Sequence, residues 1–375
     1  MRTKLSVLEG CLFALAVGDA MGYTIDRKTF EEICQDYGPN GLLGYDLANG
    51  SAQVSSHTQI AAFVCNGLLI GMTRGQFYTN TTAYMRYISL GMREWAETQR
   101  YKRDPEKRLC WVSKVPALRH HSCLDARLLD TLRRDKLGTL DAPCNRFSSP
   151  SALTAAIPVG LFFHPDRMAF SDLGRLGAEA VALTNGNPMA FLSGAVLAYL
   201  IAGIIHDDQT SLKEHFSHAA DAVAAQFGRQ YPQAAELKVL LDKAIALSER
   251  SGQTTFDVMA QLKLDSAAEV LAGAVYACLA SEGDFDTAMI IAVNHSGRSS
   301  AVGALTGAIL GAAFGKEALP EFYLDCLEPA AVLQELAKDL EQGFHTGRAM
   351  RLFDDDWEHK YTHGEPVEKA GWYEA

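Results

Sequence analysis

The stretch NHSGRSSAVGALTGAILGAAFG, Asn294 to Gly315, decides how the chain is read. Gly303, Gly307, Gly311 and Gly315 recur at four-residue steps with Ala304, Ala308 and Ala312 beside them. On a helix that spacing makes one flat face of minimal side chains. Glycine in a helix interior costs about 1 kcal/mol relative to alanine, so a ladder of them needs a reason. The reason is close approach: another helix, or the loops of a site, comes nearer to this backbone than side chains would permit. Ahead of the ladder stands a polar knot, Asn-His-Ser-Gly-Arg-Ser-Ser, at the mouth of the helix.

Outward from this stretch, helical periodicity dominates and alternating strand patterns are hard to find. The spacing predicts helices over 5–20, 57–75, 78–96, 150–163, 171–184, 187–205, 211–227, 232–249, 254–262, 266–281, 284–294, 300–315 and 328–344, an all-α protein. The opening helix and the run Ser193 to Ile205 are apolar nearly all round, which predicts central helices wrapped by others. Glu9 and Asp19 interrupt the N-terminal apolar run, which therefore reads as a core helix and not as a signal peptide. No stretch offers the roughly 20 uninterrupted apolar residues of a membrane span, and no membrane partner is expected. Residues 93–138 are markedly basic within an acidic protein and read as a surface excursion, either a solvated face or a docking surface for an acidic partner. The body spans 1–350, and the polar tail 351–375 is expected to lie over it or fray.

A formal net charge of −11 argues against broad contact with nucleic acid or anionic membrane. The eight cysteines are scattered without a CxxC pair, several inside apolar runs, the usage of reduced buried thiols in a cytoplasmic protein.

Four stretches together resemble the ADP-ribosylglycohydrolase family, whose members remove ADP-ribose from modified proteins or related adducts. LEGCLFALAVGDAMGYTID (8–26) is similar to the family's opening helix with its Gly-Asp-Ala-Leu-Gly turn and a carboxylate four residues later. VSSHTQIAAFVCNGLL (54–69) resembles its Thr-Asp-Asp-Thr helix start, and ALTNGNPMAFLSGAVLAYLIAGI (182–204) its Thr-His-x-x-Pro segment. IAVNHSGRSSAVGALTGAILGAAFGKEALP (291–320) resembles its Asn-x-Gly-Gly-Asp-Ser-Asp-Thr helix, including the glycine ladder and the proline that follows. The resemblance implies a compact orthogonal bundle of helices covering most of the chain.

It also implies two magnesium ions, held mainly by paired aspartates at two helix starts, that bind ribose hydroxyls and orient a water. Magnesium requires hard anionic oxygen ligands. Here the corresponding positions carry Ser56 and His57, then Arg298, Ser300 and Ala301, so magnesium binding is expected to be lost and no cofactor is expected. Asn185 stands at the family's histidine and Ala155 at an arginine that helps enclose the nucleotide, while Asp19 remains and Asp26 occupies the family's glutamate position.

The candidate ligand-binding residues are Asp19, Ser55, Ser56, His57, Asn185, Asn294, Arg298 and Ser300, each with a structural alternative. Asp19 braces the turn, Ser55 and Ser56 cap a helix, Asn294 bridges loop backbone, and Arg298 either grips an anion or fills the metal cavity by pairing with Asp19 or Asp26. Asp26 is the candidate catalytic base if the chain is active. The leading expectation is a pseudoenzyme that binds an ADP-ribose-like molecule or an ADP-ribosylation-related protein. The alternative is a metal-independent or differently metallated hydrolase of a glycosidic ADP-ribose bond. A transition-metal site from His57, His295, Asp19 and Asp26, or a serine nucleophile (Ser300 or Ser56) with His57 as base, would be versions of it.

Overall fold

The computed structural model describes residues 3–74, 81–99, 108–165, 168–345 and 355–367. Its first half carries α1 (Lys4–Tyr23), α2 (Phe30–Tyr37), α3 (Ser56–Thr73), α4 (Thr81–Thr98), α5 (Ala126–Leu132), α6 (Ile157–Phe162), α7 (Phe170–Ala182) and α8 (Pro188–His206). Then follow α9 (Leu212–Phe227), α10 (Gln233–Ser248), α11 (Thr255–Leu262), α12 (Ala267–Ala280), α13 (Phe285–Val293), α14 (Ser299–Phe314), α15 (Glu321–Asp325), α16 (Ala330–His345) and α17 (Asp355–Glu358). Among the described residues no strand forms, and the only bridges are the isolated pairs Ala48 with Ser51 and Ala52 with Leu327. The fold is all-α, as the periodicity predicts.

The glycine ladder explains itself in the packing of α14 on α1. A Cβ added at Gly307 would land on the carbonyl oxygen of Ala14, one at Gly311 on that of Gly10, and one at Gly303 on that of Gly18. Gly10, Gly18 and Gly22 of α1 meet α14 backbone in the same way, so the two helices touch main chain to main chain. Gly315 then ends α14 at φ 81°, a left-handed conformation that favours glycine. Every residue of α14 from Ser299 to Ala312 is buried. Helices α1 and α8 are long and apolar enough to cross a bilayer, but 94% and 78% of their apolar windows are buried inside the protein. They are the central helices that their all-round apolarity predicts.

One expectation is corrected, and one open alternative is chosen. The basic stretch 93–138 is not a surface excursion where it is described: Trp95, Cys110, Trp111, Val112, Val115, Leu128 and Leu132 are core residues. Two of its arginines are engaged within the body, Arg93 donating to the carbonyls of Arg134 and Asp135 and Arg108 lying 3.6 Å from Glu97; residues 100–107 fall outside the described ones. The tail takes the first of its two alternatives where it is described, lying against the body. Residues 355–367 dock through buried Trp357 and Tyr361, Trp357 donating to Thr73 at 2.9 Å. Lys360, 2% exposed, reaches Glu335 at 2.8 Å and Asp339 at 2.6 Å, and the Tyr361 hydroxyl donates to Asp339 at 2.5 Å. Residues 351–354 and 368–375 lie outside the described ones. The predicted helix over 150–163 divides into a 3-10 stretch, Pro150–Ala156, and α6. All eight cysteines are free thiols.

Candidate functional site

The starts of α3 and α14 converge beside the exit of α1, and each is held by a carboxylate from that part of the chain. At α3, Ser55 is the N-cap and its hydroxyl accepts from the His57 amide at 3.2 Å. Behind it Asp19, fully buried, accepts four hydrogen bonds: from the Ser55 amide (3.0 Å) and hydroxyl (2.5 Å), and from the Thr58 amide (3.0 Å) and hydroxyl (2.6 Å). Burial pushes its carboxyl up to about 6, against the pull of those four donors. Asp19 is thus the brace of α3. Asp19→Asn turns an acceptor toward donors as an amide and is expected to cost about 2 kcal/mol, read from the urea midpoint. An unchanged midpoint would remove this role.

At α14 the N-cap is Arg298, which has no acceptor to offer the first-turn amides. Asp26 supplies it instead, its Oδ1 accepting from the Ser300 amide (3.2 Å) and hydroxyl (2.9 Å). Its other oxygen, Oδ2, is buried without a hydrogen bond, 3.9 Å from Nη1 of Arg298 and 3.7 Å from Nε of Arg27. Burial raises the Asp26 carboxyl above the ordinary range, opposed first by Arg298 and then by Ser300. Burial lowers Arg298 in turn, opposed by Asp26.

Beneath Arg298 an inner cavity of about 10 Å³ is bounded by Asp26, His57, Leu124, Asp125, Pro150, Ser151 and Arg298. His57 is 3% exposed, its Nδ1 has no hydrogen bond, and burial with the neighbouring Arg298 pushes its imidazole down to about 3. It is a neutral ring across the physiological range. Above Arg298 opens an outer pocket of about 400 Å³, lined by Arg27, Arg127, Ser148, Ser149, Asp265, Ser296, Gly297 and Arg298.

Strained backbone frames this pocket. Arg27, Lys263 and Leu264 have φ of 67°, 68° and 59°, left-handed values that non-glycine residues adopt only where the surroundings impose them. The Arg27 amide is held by the Gly297 carbonyl at 3.1 Å, and the Leu264 carbonyl accepts from the Arg298 amide at 3.2 Å. The side chain of Leu264 fills the space that a Cβ at Gly273 would need, and its Cβ crowds Gly297. The elbow so pinned carries Asp265 to the pocket rim.

Of the predicted residues, Asp26, His57 and Arg298 meet at the inner cavity, and Ser300 joins them through Asp26. Asp19, Ser55 and Ser56 are one step back, holding the start of α3; the Ser56 amide donates to the Ser122 carbonyl at 3.2 Å. Asn185 lies behind the outer pocket, donating to the Ser149 carbonyl at 2.8 Å and accepting from Thr184 at 2.9 Å. Asn294 does not face either cavity with a free group. Its amide accepts from Leu42 N–H at 2.7 Å and donates to the Leu42 and Ile290 carbonyls, the loop-bridging alternative.

The predicted transition-metal set does not assemble: His295 is tied to the Ala292 carbonyl at 2.9 Å, and no three His, Cys, Asp or Glu side chains gather around one point among the described residues. Of the two serines considered as nucleophiles, Ser300 gives its hydroxyl proton to Asp26 and not to His57. Sequence reasoning missed Arg27, Arg127, Asp125, Asp265, Ser148, Ser149 and Ser296. Arg127 carried a signal in the excess of basic residues over 93–138; Asp265 carried none, because 137 positions of intervening chain separate it from Arg127, with which only the fold joins it in one pocket.

The sequence model of the ADP-ribosylglycohydrolase family matches residues 2–349. A solved structure described as an ADP-ribosylglycohydrolase-related protein complex superposes with a TM-score of 0.57 at 21% identity, covering 92% of this chain and 99% of that one. None of the curated proteins compared with the chain matches it. The glycine-laddered α14 on α1, the convergent helix starts and a family match over nearly the whole length lead to one conclusion: the chain belongs to the ADP-ribosylglycohydrolase family.

Proposed function

We propose that this chain is a family member without the binuclear magnesium chemistry, a pseudoenzyme whose cleft binds a ligand related to ADP-ribose without cleaving it. The observation that carries the reading is Arg298, whose guanidinium lies 3.9 Å from Asp26 at the joint of the two helix starts, above a cavity of about 10 Å³. The residues around that cavity do not fit a magnesium pair. They offer two carboxylates: one oxygen of Asp26 caps α14, and both oxygens of Asp125 are held by Arg127. The rest are an imidazole, a hydroxyl, apolar groups and a cation. A guanidinium and a dication about 4 Å apart repel by roughly 8 kcal/mol at an effective dielectric near 20. The volume is about that of a single water probe.

The outer pocket supports the binding half of the proposal, because it is polar, open and lined by three arginines and three serines. One observation favours the hydrolase alternative: the unbonded, buried Oδ2 of Asp26, the kind of group that serves as a base. The two readings part on one experiment. The chain is expected to leave ADP-ribosyl-arginine and ADP-ribosyl-serine peptides intact, with or without millimolar magnesium, and its melting temperature is expected not to respond to magnesium. Turnover abolished by Asp26→Ala, or a clear magnesium-dependent rise in melting temperature, overturns the pseudoenzyme reading.

A further inference from the structure

We propose that the outer pocket takes an organic phosphate whose phosphate group stops at Arg298, with the ligand's hydroxyls facing Asp265 and the serines, so that no ribosyl group passes beneath the guanidinium. This deepens the reading of the cleft as a ligand site and rests on it.

Arg298 is the first argument. Its side chain is 11% exposed, and its single charged contact within reach, Asp26, is at 3.9 Å, beyond hydrogen-bond length. No hydrogen bond from its guanidinium to another described residue is formed. A guanidinium carries five N–H donors in a fixed fork, and so enclosed a fork without acceptors is costly unless a ligand or water completes it. Phosphate oxygens match that fork in charge and spacing.

The neighbouring cations differ in what they have left to give. Arg127 spends its fork on Asp125, Nε to Oδ1 and Nη2 to Oδ2 both at 3.0 Å, and lies over the Phe147 ring at 4.9 Å. Arg27 uses one nitrogen, Nη2, on the Leu124 carbonyl at 2.6 Å, and its side chain is 56% exposed beside the pocket. Arg298 and Arg27 are therefore the pair available to one anion.

Charge alone does not choose the ligand, because Arg27, Arg127 and Arg298 stand among Asp26, Asp125 and Asp265. With the two aspartates of the inner cavity counted beside Asp265 at the rim, three cations face three anions, so the pocket selects through hydrogen-bond geometry and not through a broad positive field. The exposed carboxylate of Asp265 repels a bare oxyanion and accepts from hydroxyls, and Ser148, Ser149 and Ser296 serve the same polyol. A nucleotide or sugar phosphate meets both demands. The inner cavity sets the direction of entry, since its 10 Å³ admits at most one water and not a five-membered ring with its hydroxyls.

Calorimetry on the full chain without divalent metal, with ADP, ribose 5-phosphate, ADP-ribose and inorganic pyrophosphate, tests this. ADP, which ends in a phosphate, is expected to bind roughly tenfold or more tightly than ADP-ribose, in which that phosphate is esterified. Ribose 5-phosphate is expected to displace ADP. Arg298→Gln is expected to weaken ADP by roughly tenfold or more, with Arg298→Lys recovering part of it, and Asp265→Asn to weaken ribose 5-phosphate but not pyrophosphate. The native-chain preference and the displacement decide the matter even if Arg298→Gln does not fold. ADP-ribose binding as tightly as ADP, or ADP affinity indifferent to Arg298→Gln, overturns this inference and leaves the cleft a ligand site. Absence of binding by all four ligands overturns both.

Discussion

Gly307→Ala is expected to lower the stability of the folded chain by about 3 kcal/mol, read as a fall in the urea midpoint with an unchanged slope. The added methyl would occupy the position of the Ala14 carbonyl oxygen, which is backbone of a helix that is itself buried along its length. A side chain in the way can rotate; a helix backbone cannot without dragging its own contacts. The nearest neighbours of Gly307 in the ladder, Gly303 and Gly311, make the same kind of contact, so α1 and α14 have no freedom to separate at one point only. Gly44→Ala is the control, since a Cβ there meets nothing within 4 Å, and is expected to change stability by about 0.5 kcal/mol or less. Equal behaviour of the two variants would refute main-chain contact as the reason for the ladder.

Lys360→Met is expected to cost about 3–5 kcal/mol at pH 8, because it removes the buried ammonium group that reaches both Glu335 and Asp339. The loss is expected to shrink by pH 5. Burial already pushes Asp339 up to about 6 against the opposing pull of Lys360, so in the folded state it binds a proton more readily than in the unfolded one. A carboxyl raised in this way contributes stability at low pH that fades as pH rises through its folded value. Removing Lys360 takes away the pull that opposes the rise of Asp339 and moves that fading to higher pH, which is why acid favours the variant relative to the native chain. Thermal unfolding at the two pH values checks the sign; a deficit equal at pH 5 and pH 8 would mean the carboxylates find another partner. Adding Glu335→Gln and Asp339→Asn to Lys360→Met is expected to recover part of the loss at pH 8.

Most of the helices were legible in the spacing of apolar residues, since each long one buries a face or its whole girth. Helix α2 was missed although Thr29 and Glu32 form a capping box, a local signal overlooked because the helix buries only Ile33. The stretch 93–138 was misjudged because its average charge hides where individual side chains go: Trp95 and Trp111 are fully buried while Arg93 and Arg127 reach outward from the same segment. For the cleft, resemblance placed Asp26, His57, Arg298 and Ser300 at two helix starts, and these do come together. What it could not give was the outer pocket. Arg27, Arg127 and Asp265 converge only after α1, α5 and the loop behind α11 are folded against one another, and no periodicity records that.

The two caps have a joint consequence. Asp19, inside α1, holds the start of α3, and Asp26, just beyond the end of α1, holds the start of α14. Both walls of the cleft are thereby hung from one shaft, and that shaft is the member locked backbone to backbone against α14. The two helix starts therefore have no private flexibility: they cannot part without loosening the centre of the bundle, so the geometry they present is set as the chain folds.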